Sequence, residues 1–308
     1  MGMSQSYGAI DRDEAVATLL AAAEAGVTFF DTADMYGLGQ NEKLLGEVLG
    51  PLRDALVIAT KFGIVRDPLG NTIGVNGRPE YVATACDASL ARLGMDYIDL
   101  YYLHRVDAQV PIEETVGAMA TLVEQGKIRH LGLSEAAAST LERAHRVFPI
   151  SAIQSEWSLF TRELEADVIP MARRLGIGVV PYSPLGRGVL SGTVRSDADL
   201  EEGDFRRFTP RFHGEGLTAN VSLVDQLAEI ASSLSVTTAQ LALAWVHARG
   251  RDVVPIPGTK RRKWLEANLA SLDLELSAEI CAQLEAIVEP SAVVGDRYPA
   301  GFMDTVNR

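Results

Sequence analysis

Apolar and polar residues along this chain follow two alternating patterns. Short apolar, β-branched runs recur at residues 27–30, 56–60, 98–103, 130–133, 151–154, 177–182 and 253–256. Between them, apolar residues return every three or four positions, at residues 11–25, 41–53, 80–93, 112–124, 136–146, 162–175, 237–248 and 260–270. The first pattern predicts strands buried on both faces, and the second predicts amphipathic helices packed against them. Gly26, Gly94, Gly126, Gly176 and Gly250 close helical stretches, as a left-handed stop does. Strand and helix in alternation predict a parallel sheet.

Two architectures use such a sheet. An open, doubly wound sheet normally carries a glycine-rich turn after its first strand, and no G-x-G-x-x-G occurs in this chain. The expectation is therefore an α/β chain folded as a (β/α)₈ barrel of the TIM type, a single domain over residues 1–308. Seven strands are visible, and only ten residues precede the helix that opens at Asp11. The first strand is thus expected to be truncated, with unpaired sheet edges and a natural start upstream. Residues 183–217, rich in Gly, Arg and Phe, predict a long loop after strand 7 of the kind used as a lid or binding loop. An extra C-terminal helix at residues 277–288 precedes an irregular tail.

Composition narrows the function classes. With 28 Lys and Arg against 41 Asp and Glu, the net charge is −13, which disfavours nucleic acid and anionic membranes as partners. No apolar run reaches membrane-spanning length, and the first residues do not read as a signal peptide. Cys86 and Cys281 cannot build a disulfide framework and read as buried thiols of a cytoplasmic protein.

In a barrel the active site lies at the C-terminal ends of the strands. Asp31 and Tyr36, Lys61, and His104 all stand there. A zinc site is discarded: five histidines show no H-x-H pair, and only His104 ends a strand. Proton transfer by a phenol fits better. Lys61 is expected to lower the Tyr36 pKa, with Asp31 keeping Lys61 charged, while His104 hydrogen-bonds a substrate carbonyl oxygen. No residue supplies electrons, so a hydride has to come from a cofactor.

These strand ends carry a resemblance. Phe30-Asp31-Thr32-Ala33-Asp34-Met35-Tyr36-Gly37, Ala59-Thr60-Lys61-Phe62-Gly63, Tyr102-Leu103-His104-Arg105 and Gly132-Leu133-Ser134-Glu135 resemble the aldo-keto reductases. So do Pro181-Tyr182-Ser183-Pro184-Leu185-Gly186 and Ile256-Pro257-Gly258-Thr259-Lys260, and the tail Gly295-Asp296-Arg297-Tyr298-Pro299 is similar to the bacterial and plant branch. The resemblance implies a catalytic tetrad of Asp31, Tyr36, Lys61 and His104, with Tyr36 as general acid. It implies NADP(H) as cofactor and a small carbonyl compound as substrate. Ser134 and Gln154 would then hold the nicotinamide carboxamide and Tyr182 stack on its ring. Ser183, Leu185, Gly186, Arg187 and Gly188 would follow the pyrophosphate, and Thr259, Lys260, Arg261 and Asn268 the adenosine end. Two positions depart from the family pattern: Glu135 stands where Asn is common, and Ala267 replaces a Glu.

Lys260-Arg261-Arg262-Lys263 places cations at a helix N-terminus, against its dipole, which points to an anion there. No acidic residue lies between Pro257 and Lys263 to bind a free ribose diol, so NADPH is expected over NADH. A redox-sensing regulatory subunit that binds NADP(H) and turns over little is the alternative.

Overall fold

The structure, a computed structural model, describes residues 1–307. Its elements run α1 (Arg12–Glu24), β1 (Phe29–Asp31), α2 (Gln40–Leu49), β2 (Val57–Phe62), β3 (Ile64–Arg66), β4 (Thr72–Val75), α3 (Pro79–Leu93), β5 (Ile98–Leu103), α4 (Ile112–Glu124) and β6 (Ile128–Ser134). They continue as α5 (Ala138–Val147), β7 (Ile150–Glu156), α6 (Val168–Arg174), β8 (Gly178–Tyr182), α7 (Gly214–Ser233), α8 (Thr238–His247), α9 (Arg262–Leu269), α10 (Ala278–Ile287) and α11 (Ala300–Met303).

Six strands make one parallel sheet in the order β1-β2-β5-β6-β7-β8. The sheet curls, because side chains from its inner face meet in one cluster. Ala59, Leu100, Tyr102, Ala152 and Val180 pack there with Phe29 and Ile256. Their strand neighbours Ile58, Tyr101, Ile153 and Val179 point the other way and join the helices in the main core. Large and small residues interlock inside: a Cβ on Gly132 of β6 would lie 2.3 Å from the Tyr102 ring.

Three features differ from the sequence pattern. The run at 253–256 is not a strand but two isolated parallel bridges, Val179 with Val253 and Tyr182 with Ile256. Pro255 and Pro257 flank Ile256 and have no N–H to donate, which interrupts the ladder. Ahead of α1, where no full strand was expected, residues 2–8 form turns and bends, and the outer edge of β1 has no partner strand among the described residues. A two-stranded antiparallel hairpin, β3 with β4, follows β2 without having been expected, its strands too short to show a period.

The third difference is α7. The sequence reading ends the long loop at 217 and names no element before 237, yet a 20-residue helix begins at Gly214. Gly214 and Gly216 in its first turn, and Asn220 on its buried face, hide the pattern. The Asn220 amide earns that place by donating to the carbonyls of Arg211 (3.2 Å) and Val294 (2.9 Å) and accepting from the Val294 N–H (3.0 Å). The remaining loop, residues 183–213, contains four short 3₁₀ turns.

Two helical glycines give opposite expectations. A Cβ on Gly46 of α2 would lie 2.0 Å from the carbonyl oxygen of Leu93, whereas a Cβ on Gly117 of α4 meets nothing within 4 Å. Gly46→Ala is therefore expected to destabilise by about 1–3 kcal/mol through overpacking against backbone. Gly117→Ala is expected to stabilise by about 0.5–1 kcal/mol through helix propensity. Urea midpoints of the two variants, measured beside the wild type, check both signs.

Candidate active site

The parallel register sets the ends of β1, β2 and β5 side by side, pairing Asp31 with Ala59 and Lys61 with Tyr102. The turn after β1 is held to β2, with the Asp34 N–H donating to the Lys61 carbonyl at 3.0 Å. It is held to α2 as well, through the Thr32 hydroxyl donating to Asn41 Oδ1 at 2.7 Å. The tetrad therefore assembles. Lys61 is fully buried, and its ammonium donates to the Asp31 carboxylate and to the Thr32 carbonyl, the latter at 2.7 Å. It lies 5.3 Å from the centre of the Tyr36 ring. The Tyr36 and His104 rings meet edge to face with centres 5.9 Å apart.

The electrostatics reverse one expectation. The Tyr36 phenol is pushed above its ordinary value, not below it. Burial is the main cause, the charges on Asp31 and Tyr298 add to it, and Arg105 opposes. Lys61 does not act as the lowering cation because Asp31 already neutralises it. Burial likewise pulls the Lys61 ammonium down while Asp31 holds it up. His104 is driven well below its usual range by burial, then by the charges of Lys61, Arg105 and Arg66. At neutral pH the site thus presents a protonated phenol and an uncharged imidazole.

The residues expected to hold the nicotinamide stand on the next strands. Gln154 donates its amide to Asp31 Oδ2 at 2.9 Å, which ties β7 to the tetrad. Ser134 ends β6 fully buried, 3.5 Å from an Arg105 nitrogen. Tyr182 ends β8, its hydroxyl 2.9 Å from that of Tyr298. Beyond it, Ser183, Gly186, Arg187 and Gly188 all take positive φ, and the chain curls through Leu185 into a tight 3₁₀ turn. The Arg187 guanidinium turns inward, 3.2 Å from Glu156 and 4.2 Å over the Tyr298 ring. At the other expected end, Thr259 hydrogen-bonds the Arg261 backbone, Arg261 is exposed and Asn268 sits on α9. Lys260 donates to the carbonyls of Tyr7 (2.5 Å) and Ala9 (2.6 Å). The bridge between Tyr182 and Ile256 brings the two loops to neighbouring ends of the sheet.

Sequence reasoning left several rim residues without a role. Glu135 has positive φ and grips Arg297 of the tail through two hydrogen bonds of 2.7 and 2.8 Å. Burial would raise its carboxyl, but the Arg297 charge and hydrogen bonds hold it down to about 2. Glu156 accepts from Arg187 and from Arg211 (3.3 Å), joining β7 to the long loop. A buried acid after a strand, with arginines in the loop and tail, was the available signal. It gave no pairing.

The pattern of the aldo/keto reductase family matches residues 1–289. Aldo-keto reductase yakc [NADP(+)] of Schizosaccharomyces pombe is 43% identical over 315 residues, spanning 99% of this chain and 93% of that protein. Among solved structures, a glycerol dehydrogenase from Gluconobacter oxydans superposes with a TM-score of 0.84 at 27% identity, covering 93% of this chain and 89% of that one. An aldo-keto reductase from Klebsiella pneumoniae in complex with NADPH gives a TM-score of 0.70 at 32% identity, over 91% of this chain and 86% of that one.

The tail clamp is testable by stability. Arg297→Met leaves the buried Glu135 carboxylate without its cation, held only by the Glu156 N–H at 3.0 Å, and is expected to cost about 3–5 kcal/mol at pH 7. The double variant with Glu135→Gln is expected to cost less, since no lone charge remains. The Glu135 carboxyl sits at about 2 when folded, below its ordinary 4.5, so the pair stabilises fully above that upper value and fades as pH falls toward 2. Urea unfolding at pH 7 and pH 3 is expected to show the gap between wild type and Arg297→Met narrowing at the lower pH.

Proposed function

The chain belongs to the aldo/keto reductase family, and we propose that it reduces aldehydes or ketones to alcohols at the rim formed by Asp31, Tyr36, Lys61 and His104. One observation carries this reading. A buried ion pair, a protonated phenol and an uncharged imidazole converge where a carbonyl oxygen could meet both proton donors.

NADP(H) is the cofactor, and bound NADPH supplies the hydride that reaches the carbonyl carbon. The residues present fit it. Positive φ at Ser183, Gly186, Arg187 and Gly188 folds the backbone after β8 into a tight curl, and the buried Arg187 Nε has no hydrogen-bond partner among the described residues. Ser134 and Gln154 would hold the carboxamide, with Tyr182 against the ring. Lys260 and Arg261 would face the adenosine phosphate, Lys260 exchanging two neutral carbonyls for an anion. Arg262 is already paired with Glu14 and drops out of that set.

Tyr36 protonates the oxygen as negative charge develops on it. A phenol raised by burial stays protonated at neutral pH, and an alkoxide is a far stronger base than a phenolate, so the transfer runs downhill. The His104 imidazole donates its N–H to the same oxygen and orients it. Lys61 and Asp31 fix the position of the phenol and keep a compensated charge beneath it.

Tyr36→Phe is expected to lower carbonyl reduction by about 10²–10⁴-fold with NADPH binding retained. NADPH oxidation with a reactive aldehyde, followed beyond one equivalent, measures this, and a single slow turnover would indicate the sensor alternative instead.

NADPH is expected to be preferred to NADH, with charge-assisted bonds to its extra phosphate contributing about 1.5–3 kcal/mol each. The ratio of kcat/KM for the two cofactors should fall in Lys260→Ala with Arg261→Ala. A ratio near one in the wild type places no phosphate site at these residues.

A further inference from the structure

The rim has more cation than its own carboxylates neutralise. Three arginines around it have acidic partners within ion-pair distance: Arg187 and Arg211 with Glu156, and Arg297 with Glu135. Arg105, which follows His104 directly, is buried and has no such partner among the described residues. Its firm hydrogen bond is Nη1 to the His104 carbonyl at 2.8 Å. The Nε–H is buried with no acceptor, and Nη2 reaches only the Tyr298 hydroxyl at 3.2 Å. That Nε/Nη2 edge is one of the two-donor forks that match a carboxylate. A guanidinium withdrawn from water without an anion is costly, and nearby Glu135 is already engaged on both oxygens by Arg297.

A second cation repeats the pattern. Arg66 ends β3, is half-buried, has no carboxylate within ion-pair distance among the described residues, and its side chain bonds only the Gln5 amide oxygen there at 3.1 Å, leaving its Nε unsatisfied. Both charges act on the reacting groups, since Arg66 and Arg105 each depress His104. Asp31 does not offset them, because Lys61 holds it. The sheet order separates the two halves of the rim. Tyr36, Lys61, Arg66, His104 and Arg105 follow or end β1, β2, β3 and β5, whereas the residues assigned to the cofactor stand on β6, β7, β8 and the 259–268 segment. Arg66 therefore lies away from the residues assigned to the cofactor, and Arg105, 3.5 Å from Ser134 Oγ, stands where the two halves of the rim meet.

We propose that Arg105, assisted by Arg66, binds a carboxylate on the substrate, so that the preferred substrates are carbonyl compounds carrying a carboxylate, such as oxo acids and semialdehydes. This rests on the carbonyl-reductase reading above and specifies its substrate class. Arg105 is then a specificity determinant that also restrains the tail through Tyr298 until the anion arrives.

The test compares 3-carboxybenzaldehyde with 3-formylbenzamide, a pair alike in shape and differing in charge. With NADPH, the wild type is expected to favour the carboxylate in kcat/KM by about 10- to 100-fold, the range for charge-assisted bonds. Arg105→Met should bring that ratio close to one, Arg105→Lys should recover part of it, and the more exposed Arg66→Gln should lower it by several-fold. A global defect in a variant acts on both aldehydes, so the ratio isolates the charge. Equal use of both aldehydes by the wild type, or an unchanged ratio in Arg105→Met and Arg66→Gln, overturns the proposal while leaving carbonyl reduction intact. If neither aldehyde is reduced, it is the reductase reading that fails. Calorimetric binding of benzoate against benzamide in the presence of NADP⁺ then still decides the anion site: tighter benzoate binding that Arg105→Met abolishes supports it, and no difference removes it.

Discussion

A fully buried ammonium governs the arrangement of this active site. Lys61 has no water to solvate its charge, so the surrounding chain supplies the Asp31 carboxylate and the Thr32 carbonyl. Each of those acceptors is fixed in turn. Gln154 of β7 holds the second Asp31 oxygen, and Asn41 of α2 holds the Thr32 side chain. Leaving one of these groups unpaired in a low-dielectric interior costs more than any single hydrogen bond contributes, so the set stands together. The position of Tyr36 follows, because its turn is bound to β2 through the Lys61 carbonyl.

The same logic extends outward to segments with little core of their own. The 183–213 loop and the tail reach the barrel through Glu156 with Arg187 and Arg211, and through Glu135 with Arg297. Aromatic contacts reinforce these pairs, with Phe302 packed against Phe205 and Tyr298 at 6.2 and 6.3 Å. An overall negative charge makes the concentration of arginine at this rim more telling. Segments fastened by a few polar anchors open at lower free energy than the strands beneath them, which would suit the cofactor-binding role proposed for the loop.

Burial also explains why local chemical intuition misjudged the phenol. A lysine beside a tyrosine suggests a lowered pKa when the two are considered alone. In the folded protein Asp31 neutralises the lysine and desolvation penalises phenolate, so the proton is held more firmly. For a group proposed to donate its proton to an alkoxide, this is the useful direction.

The strands and most helices were legible in the sequence, because continuous apolar runs and a 3.6-residue period are consequences of burial that each segment carries by itself. Asp31, Tyr36, Lys61 and His104 were legible for a related reason: in a parallel barrel, every strand delivers its last residues to the same rim. The α7 helix was not, since its glycine-rich start and its buried Asn220 break the period, and that asparagine is satisfied by backbone groups of Arg211 and Val294. Nor was the fate of 253–256, which depended on how proline interrupts pairing with β8. Which arginine meets which carboxylate was beyond the sequence altogether. Glu135 and Arg297 lie 162 positions apart, and nothing local to either one encodes the other. The sequence determined the elements and the chemical groups at their ends, because those depend on neighbours in the chain. Tertiary structure alone decided which charges are compensated, because ion pairing and desolvation are set by neighbours in space.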